Sequence, residues 1–202
     1  IPLVTGLEMT SPSDDDLKAL CAAFGTTSAA PMLHINGHTP GKVYSIPSNL
    51  KNFNITKQHL AKLWNKFNYA DLRVDLVAIG SPHASLKECE SFVKFFDGKN
   101  CNPTVKTIIT IGRDILSKAK NEGLVEKLNS SGVQIISDIC WCSITEPIFP
   151  PEASVIMTNS GKYAHYAHGL TGRKTRFGSL KDCALAAQSG WAKSEVPEWL
   201  SN

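Results

Sequence analysis

Residues 157–172 read MTNSGKYAHYAHGLTG and overlap the end of the apolar run ASVIM at residues 153–157. The run predicts a buried strand, and the residues after it are small or polar: Thr158, Asn159, Ser160, Gly161 and Lys162. In open α/β proteins, ligands bind at the carboxyl ends of the parallel strands. A helix starting here can also present free N–H groups to an anion. The stretch therefore predicts a ligand-binding connection, and the alternative is an ordinary strand-to-helix turn with a satisfied asparagine.

The rest of the chain alternates between apolar runs and helical patterns. Further strands are predicted at residues 31–35, 74–80, 105–111 and 133–137. Helices are predicted at residues 14–24, 56–67, 86–96, 114–129 and 180–188. Such alternation implies parallel strand pairing with right-handed crossovers. We therefore expect an α/β fold with three α/β/α layers around a mostly parallel sheet.

Four of the predicted strands run into polar loops. These loops are HINGHTPG from residue 34, GSPHAS from residue 80, DICWC from residue 138 and TNSGKYAH from residue 158. A doubly wound topology brings the carboxyl ends of its strands to one edge of the sheet. We expect the loops to meet there, which is a stronger indication of a site than any single loop.

Composition excludes several classes of protein. The chain has 202 residues, 42% of them hydrophobic and 19% charged, as in an ordinary globular protein. The net charge of +3 is too small to indicate a nucleic-acid partner or binding to an anionic membrane surface. No apolar run has the length of a membrane span. The chain begins at Ile1 without a leader pattern, so we expect it to be processed or part of a longer protein.

The six cysteines do not form the pattern of a disulfide scaffold or a zinc ribbon. Cys140 and Cys142 make a CxC pair, and Cys183 follows alone near a predicted helix start. Widely spaced thiols from different elements suit an iron–sulfur cluster better than a zinc finger. The alternative is that these three are unrelated buried thiols. Reduced thiols are the default of an intracellular protein, so we expect a cytoplasmic location.

Lys162 is the best single candidate for binding an anionic ligand. An ammonium just after a Ser-Gly turn can hold a carboxylate or a phosphate, although a surface lysine is the ordinary interpretation. His83, like the other histidines at predicted strand ends, is a candidate for substrate binding or proton relay. Satisfied loop histidines are the commoner outcome.

Taken in order, these motifs resemble the aconitase X family. The resemblance runs from near Leu7 to Leu200 and rests on GLEMTSPSDDDLKAL, HINGHTPG, GSPHASLKE, DICW, TNSGKYAHYAHGLTGR and RFGSLKDCALAAQSG. That family includes cis-3-hydroxy-L-proline dehydratases and the phosphomevalonate dehydratase large subunit. The resemblance implies an aconitase-like fold and an iron–sulfur-dependent hydro-lyase acting on 3-hydroxyproline or a phosphorylated hydroxy acid.

The resemblance also implies site residues. Cys140 matches the cysteine of the family's Asp-Thr-Cys segment, with Ile139 in place of the threonine, and Cys183 matches a cysteine in a later helix. These would be two of three cluster ligands, the third lying outside this chain. The residues implied to bind the substrate are Asn159, Ser160 and Lys162, to which we add His83. The resemblance assigns the catalytic base to a part of the family's catalytic unit not represented here.

The resemblance further implies that residues 1–202 form a partial catalytic domain, the C-terminal half of the large subunit. Its expected partner is a small-subunit-like domain, fused or separate. A non-catalytic α/β binding or assembly module without the cluster is the alternative. A phosphate-binding enzyme of another doubly wound family is disfavoured because neither GxGxxG nor GxxxxGK[ST] occurs.

Overall fold

The computed structural model of the chain describes residues 1–41, 46–47 and 49–201. Its strands are β1 (Leu3–Val4), β2 (His34–Ile35), β3 (Leu76–Ala84), β4 (Lys106–Ile111), β5 (Val133–Ser137), β6 (Val155–Thr158) and β7 (Lys174–Phe177). Its α-helices are α1 (Asp14–Thr27), α2 (Lys57–Phe67), α3 (Leu86–Phe96), α4 (Arg113–Asn121), α5 (Leu124–Ser130), α6 (Gly161–Thr171) and α7 (Leu180–Ser189). Within the described ranges, no helix is long and apolar enough to cross a membrane.

Five strands form one parallel sheet in the order β5-β4-β3-β6-β7. The chain builds β3, β4 and β5 outward in one direction, then returns to the other side of β3 to build β6 and β7. The strand order therefore reverses between β3 and β6. In open α/β sheets, this reversal opens a crevice at the carboxyl ends of the two strands.

Helices cover both faces of the sheet. Successive side chains of a strand point to opposite faces, so Val77 and Ile79 of β3 join one apolar cluster and Leu76 and Ala78 join another. Helices α3, α4, α5 and α7 contribute to the first cluster, while α6 and the buried Trp141 contribute to the second. Burial on both faces explains the near-continuous apolar runs of β3 and β4. The predicted three-layer α/β/α fold is confirmed.

Several local predictions are wrong. The strand predicted at 31–35 is reduced to β2, which pairs with β1 in a separate two-stranded sheet, so the HINGHTPG loop does not end a strand of the main sheet. Gly25 does not end α1, which continues to Thr27. The single helix predicted at 114–129 is divided by Gly123, whose φ of 67° is left-handed. Strand β7 was not predicted because KTRF is short and lacks an apolar run.

Asp75 holds the starts of β3 and β6 together. One carboxylate oxygen, Oδ2, accepts hydrogen bonds from the Ser154 hydroxyl at 2.7 Å, the Ser154 amide at 3.0 Å and the Val155 amide at 3.1 Å. Partial burial acts to raise the pKa of Asp75, but these hydrogen bonds prevail and lower it below its ordinary value. The carboxylate thus fixes the two strands on either side of the reversal.

Gly80 interrupts the regular pairing of β3 with β4. Its φ is +97°, and the register between the strands shifts between Ile79 and Ala84. A Cβ atom at Gly80 would lie 2.1 Å from the Thr110 carbonyl oxygen, and the Thr110 hydroxyl donates a 2.6 Å hydrogen bond to the Gly80 carbonyl. Only glycine fits this backbone, and the irregularity sets the path of the following residues to the sheet edge.

We expect Gly80→Ala to destabilise the fold by about 3 kcal/mol or more, because it adds both a backbone clash and a disfavoured φ. Gly169→Ala is the matched control. Gly169 is an exposed residue of α6 with nothing within 4 Å of its added Cβ, so that variant should gain about 0.5–1 kcal/mol. Urea unfolding of both variants measures the difference, and equal stabilities would contradict this account.

Candidate functional site

The last part of β3 and the connection that follows β6 are bonded to each other at the strand reversal. Ser160 caps α6, and its hydroxyl accepts a hydrogen bond from the Tyr163 amide at 3.0 Å. The same hydroxyl donates to the Ser81 carbonyl oxygen. Ser160 is buried, and its one donor is used within the protein. The structure therefore gives Ser160 a role in joining the loops, while its predicted contact with substrate remains a prediction.

The CxC segment after β5 is anchored to the end of β3. The Trp141 indole is buried and donates a 2.7 Å hydrogen bond from Nε1 to the Ile79 carbonyl oxygen. The His83 ring nitrogen Nε2 donates to the Ile139 carbonyl oxygen at 3.0 Å. Three of the four polar loops predicted to meet, those containing His83, Trp141 and Ser160, thus lie together at one edge of the sheet.

Cys140 and Cys142 present two partly buried thiols at this edge. Burial, and then the neighbouring Cys140, raise the pKa of the Cys142 thiol, whereas Lys162 acts to lower it. Between the two thiols in sequence, the Trp141 ring packs against the Tyr163 ring with 5.2 Å between centroids. The CxC pair is therefore rigidly placed beside the start of α6.

A cleft of about 550 Å³ separates α1 from α6. Lys162 and Cys142 line one side of it, and residues of α1 line the other: Cys21, Ala22, Gly25 and Thr26. The predicted anion-binding lysine and a thiol of the CxC pair therefore face the same space. This volume suits a small organic molecule.

A charged cluster joins α1 to the loops at the sheet edge. The Lys18 ammonium lies 2.8 Å from Asp15 Oδ1 and 2.7 Å from Glu88 Oε2, and donates to the His83 carbonyl oxygen at 3.2 Å. The Asn159 amide donates to Glu88 Oε1 at 3.5 Å. Asn159 and His83, both predicted to bind substrate, are thus connected through Lys18 and Glu88.

Sequence reasoning missed this cluster. Asp15, Lys18 and Glu88 were not among the predicted site residues. Glu88 forms a capping box with Ser85, whose amide donates to Glu88 Oε2 at 3.0 Å. No local pattern signals that the same carboxylate also contacts a helix some 70 positions away in sequence.

The cluster shifts two pKa values. Burial acts to raise the pKa of Asp15, but hydrogen bonds from Lys18 and then from Ser85 prevail and lower it. Burial acts to lower the pKa of Lys18, but its hydrogen bonds to Asp15 and Glu88 prevail and raise it. Both groups are therefore held in their charged forms.

Cys183 lies elsewhere. Its thiol is fully buried in the apolar cluster that includes α3 and α7, and this burial, followed by the nearby Asp182, raises its pKa well above the ordinary value. Trp141, next to Cys140, packs in the cluster on the other face of the sheet. Among residues 1–41, 46–47 and 49–201, no three His, Cys, Asp or Glu side chains are grouped so that they could hold a metal ion. Cys183 therefore packs on the opposite face of the sheet from Trp141, and its role as a cluster ligand with Cys140 stays a prediction.

Comparison with known proteins identifies two matched regions. Residues 1–65 match the family model of the aconitase X second domain, and residues 74–189 match that of the aconitase X third domain. Helix α1 belongs to the first region, and Cys142 and helix α6 with Lys162 belong to the second. The cleft therefore lies between the two regions.

Individual relatives agree with this match. The chain is 37% identical over 207 residues to a cis-3-hydroxy-L-proline dehydratase from Pseudomonas aeruginosa, covering all of this chain and 36% of that protein. It is 28% identical over 164 residues to a phosphomevalonate dehydratase large subunit from Methanothermobacter thermautotrophicus, covering 80% of this chain and 40% of that protein.

A solved structure is also similar. The holo-form of Thermococcus kodakaraensis aconitase X superposes with a TM-score of 0.76 at 28% identity, covering 87% of this chain and 44% of that chain. The chain thus spans well under two thirds of the length of each of these proteins.

Lys18→Met should destabilise the protein at neutral pH by about 1–3 kcal/mol, because two carboxylates lose their shared partner. Asp15 has a lowered pKa, so its contribution is present above its unfolded value of about 4 and is lost as the pH falls through the folded value. The stability difference between wild type and variant should therefore shrink below about pH 4. Denaturant unfolding across this range measures it.

Lys87→Met is the control for this experiment. It removes the same charge from an exposed side chain that acts on Asp15 only at longer range, so its effect should stay within about 0.5 kcal/mol. A wild-type advantage over Lys18→Met that does not change with pH would contradict the electrostatic interpretation.

Proposed function

The chain belongs to the aconitase X family, and we propose that it forms part of a dehydratase, a hydro-lyase that removes water from a small anionic hydroxy acid. The observation that carries this proposal is the cleft between α1 and α6, where the Lys162 ammonium and the Cys142 thiol face one space. Relatives named cis-3-hydroxy-L-proline dehydratase and phosphomevalonate dehydratase large subunit support it. The higher identity to the former favours a 3-hydroxyproline over a phosphorylated hydroxy acid.

Lys162 holds the anionic group of the substrate in this proposal. Its ammonium makes a charge-assisted hydrogen bond to a carboxylate, and the first-turn amides of α6 that Ser160 does not cap, those of Gly161 and Lys162, add to the attraction. Asn159 orients the substrate through its amide, while His83 supports the site through its bond to the Ile139 carbonyl. Helix α1 lines the opposite side of the cleft from Lys162.

The family resemblance implies an iron–sulfur cluster, and the residues present fit it in part. Cys140 and Cys142 are partly exposed thiols at the site, which suits ligation. We propose Cys140 as a ligand, with the third ligand outside this chain. The proposed role of Cys183 fits less well, because its thiol is buried in the core without access to the cleft. When bound, the cluster supplies a Lewis-acidic iron for the leaving hydroxyl group.

The expected partner remains a small-subunit-like domain, fused or separate. The name of the archaeal relative, a large subunit, supports it. All six cysteines are free thiols, as a cytoplasmic location would require, and that location stays a prediction together with the extent of the partial domain.

A second candidate function is a non-catalytic binding or assembly module of the same family. The burial of Cys183 away from Cys140 favours it, because a module without the cluster has no need to bring these thiols together. Iron content distinguishes the two candidates.

In the protein assembled with its missing regions and partner, Lys162→Met should lower kcat/KM for cis-3-hydroxy-L-proline by about 100-fold or more, through the loss of a charge-assisted contact. Lys174→Met, which removes an exposed lysine of β7, is the matched control and should leave turnover unchanged. Steady-state kinetics on both substrate classes provides the measurement. An unchanged kcat/KM in Lys162→Met would show that Lys162 does not bind the substrate.

Cys140→Ser should abolish the visible absorbance of the cluster in that assembled protein without unfolding it, since Cys140 is a partly exposed side chain outside the apolar core. From the burial in this structure, we expect Cys183→Ser to retain the absorbance. Loss of absorbance in Cys183→Ser at unchanged thermal stability would instead establish Cys183 as a ligand and require a rearrangement of α7. Full visible absorbance in Cys140→Ser would contradict the assignment of Cys140 as a cluster ligand.

A further inference from the structure

We propose that Gly25 of α1 determines which substrates the cleft between α1 and α6 accepts, by leaving room opposite Lys162 for the hydrocarbon part of a carboxylate. The inference rests on the proposed function, because it adds a specificity-determining residue to the cleft in which Lys162 holds the anionic group. Both residues line the cleft itself, together with side chains that are mostly small or apolar.

Lys162 carries the charge of the cleft. Among the described residues that line it, there is no other Lys or Arg and no His, Asp or Glu. Lys162 is half-buried, and none of the ion pairs formed within residues 1–41, 46–47 and 49–201 includes it. Its ammonium therefore attracts one anionic group, and the described lining offers no second cation for another.

The wall of the cleft beyond Lys162 is apolar. Lys162, Tyr166 and Leu170 are spaced at i, i+4 and i+8, so they lie on one face of α6, about 12 Å from first to last. Tyr166 is 36% exposed and Leu170 is 50% exposed. Hydrocarbon that covers these side chains leaves water, and each fully buried CH₂ group raises the affinity of a ligand by about 4-fold.

Helix α1 is held at a fixed distance from this face of α6. The Tyr166 hydroxyl donates a 3.1 Å hydrogen bond to the Thr26 carbonyl oxygen. Nearer the start of α6, a Cβ atom added to Gly161 would lie 3.7 Å from the Ala23 Cβ, an ordinary van der Waals contact. Gly25 lies between these two points of contact along α1 and lines the cleft. The space beside Gly25 is therefore formed before a ligand binds.

The fold does not require glycine at position 25. Gly25 lies inside α1 and outside the left-handed region, and nothing lies within 4 Å of a Cβ atom added to it. Glycine inside a helix is destabilising relative to alanine, so a residue with a side chain would favour α1. Gly169 of α6 has the same properties but does not line the cleft. What distinguishes Gly25 is that a side chain there would enter the space opposite Lys162.

These features together define the class of ligand. It carries one carboxylate for Lys162 and a hydrocarbon part that lies between Gly25 and the side of α6 formed by Tyr166 and Leu170. The ring carbons of a 3-hydroxyproline meet this description. A phosphorylated hydroxy acid would instead place its second anionic group against apolar side chains, and desolvation of that group would oppose binding.

The test compares two carboxylates that differ in their hydrocarbon part, cyclopentanecarboxylate and acetate, by calorimetric titration of the assembled protein. Wild type should bind cyclopentanecarboxylate at least about 10-fold more tightly, because its ring carbons are buried in the cleft. Gly25→Leu should weaken cyclopentanecarboxylate binding by about 10-fold or more and leave acetate binding unchanged, because the added side chain takes the place of the ring. Gly169→Leu, the matched control, should change neither affinity.

Thermal unfolding separates this effect from a loss of structure. Leucine favours a helix over glycine, so both variants should unfold at or above the wild-type temperature. If Gly25→Leu does not fold, Gly25→Ala provides the second variant, with a smaller loss confined to cyclopentanecarboxylate.

Equal wild-type affinities for the two ligands, no measurable binding of either, or a Gly25→Leu variant that loses neither affinity or both equally would overturn the proposal. The proposed function fails separately. Wild type that prefers cyclopentanecarboxylate but does not dehydrate cis-3-hydroxy-L-proline would refute the activity while retaining the role of Gly25.

Discussion

The pairing of β3 with β6 is the constraint on which the rest of the structure depends. Asp75 fixes the two strands at their amino ends with three hydrogen bonds, and Ser160 joins the loops at their carboxyl ends. Because the strand order reverses at this pair, the helices that follow the two strands lie on opposite faces, and the loops diverge around a crevice. Every side chain proposed to touch substrate lies on or beside these loops.

Much of the sheet was predictable because its signals are local. Residues 105–111 and 133–137 are rich in apolar and β-branched residues, a local pattern typical of strands, and Ser85 with Glu88 starts a helix through contacts three residues apart. The strand predicted at 31–35 failed because pairing depends on a partner, and its partner is the two-residue β1. Strand β7 was not predicted because its four residues carry little local signal, and its strand conformation depends on pairing with β6.

Only the residues of the candidate site that follow strands were predictable from the sequence. Lys162, Asn159 and the CxC pair follow strands, so a topological rule predicts their convergence. Lys18 and Asp15 sit on a helix outside the main sheet, and their contact with Glu88 arises from how α1 packs across the loops, which no periodicity encodes. The face of the sheet that Cys183 joins was likewise not predictable, because a matching sequence position does not determine it.

The cleft lies between helix α1 from the first matched region and helix α6 with Cys142 from the second. Any molecule that bridges α1 and α6 binds only when the two regions are docked, so binding and docking are thermodynamically linked and reciprocal. A ligand of the cleft must tighten the contact between the regions by the same free energy that docking adds to its affinity. Substitutions at Lys18 therefore change the affinity for a ligand of the cleft without contacting it, because they change the fraction of molecules in which the two regions are docked.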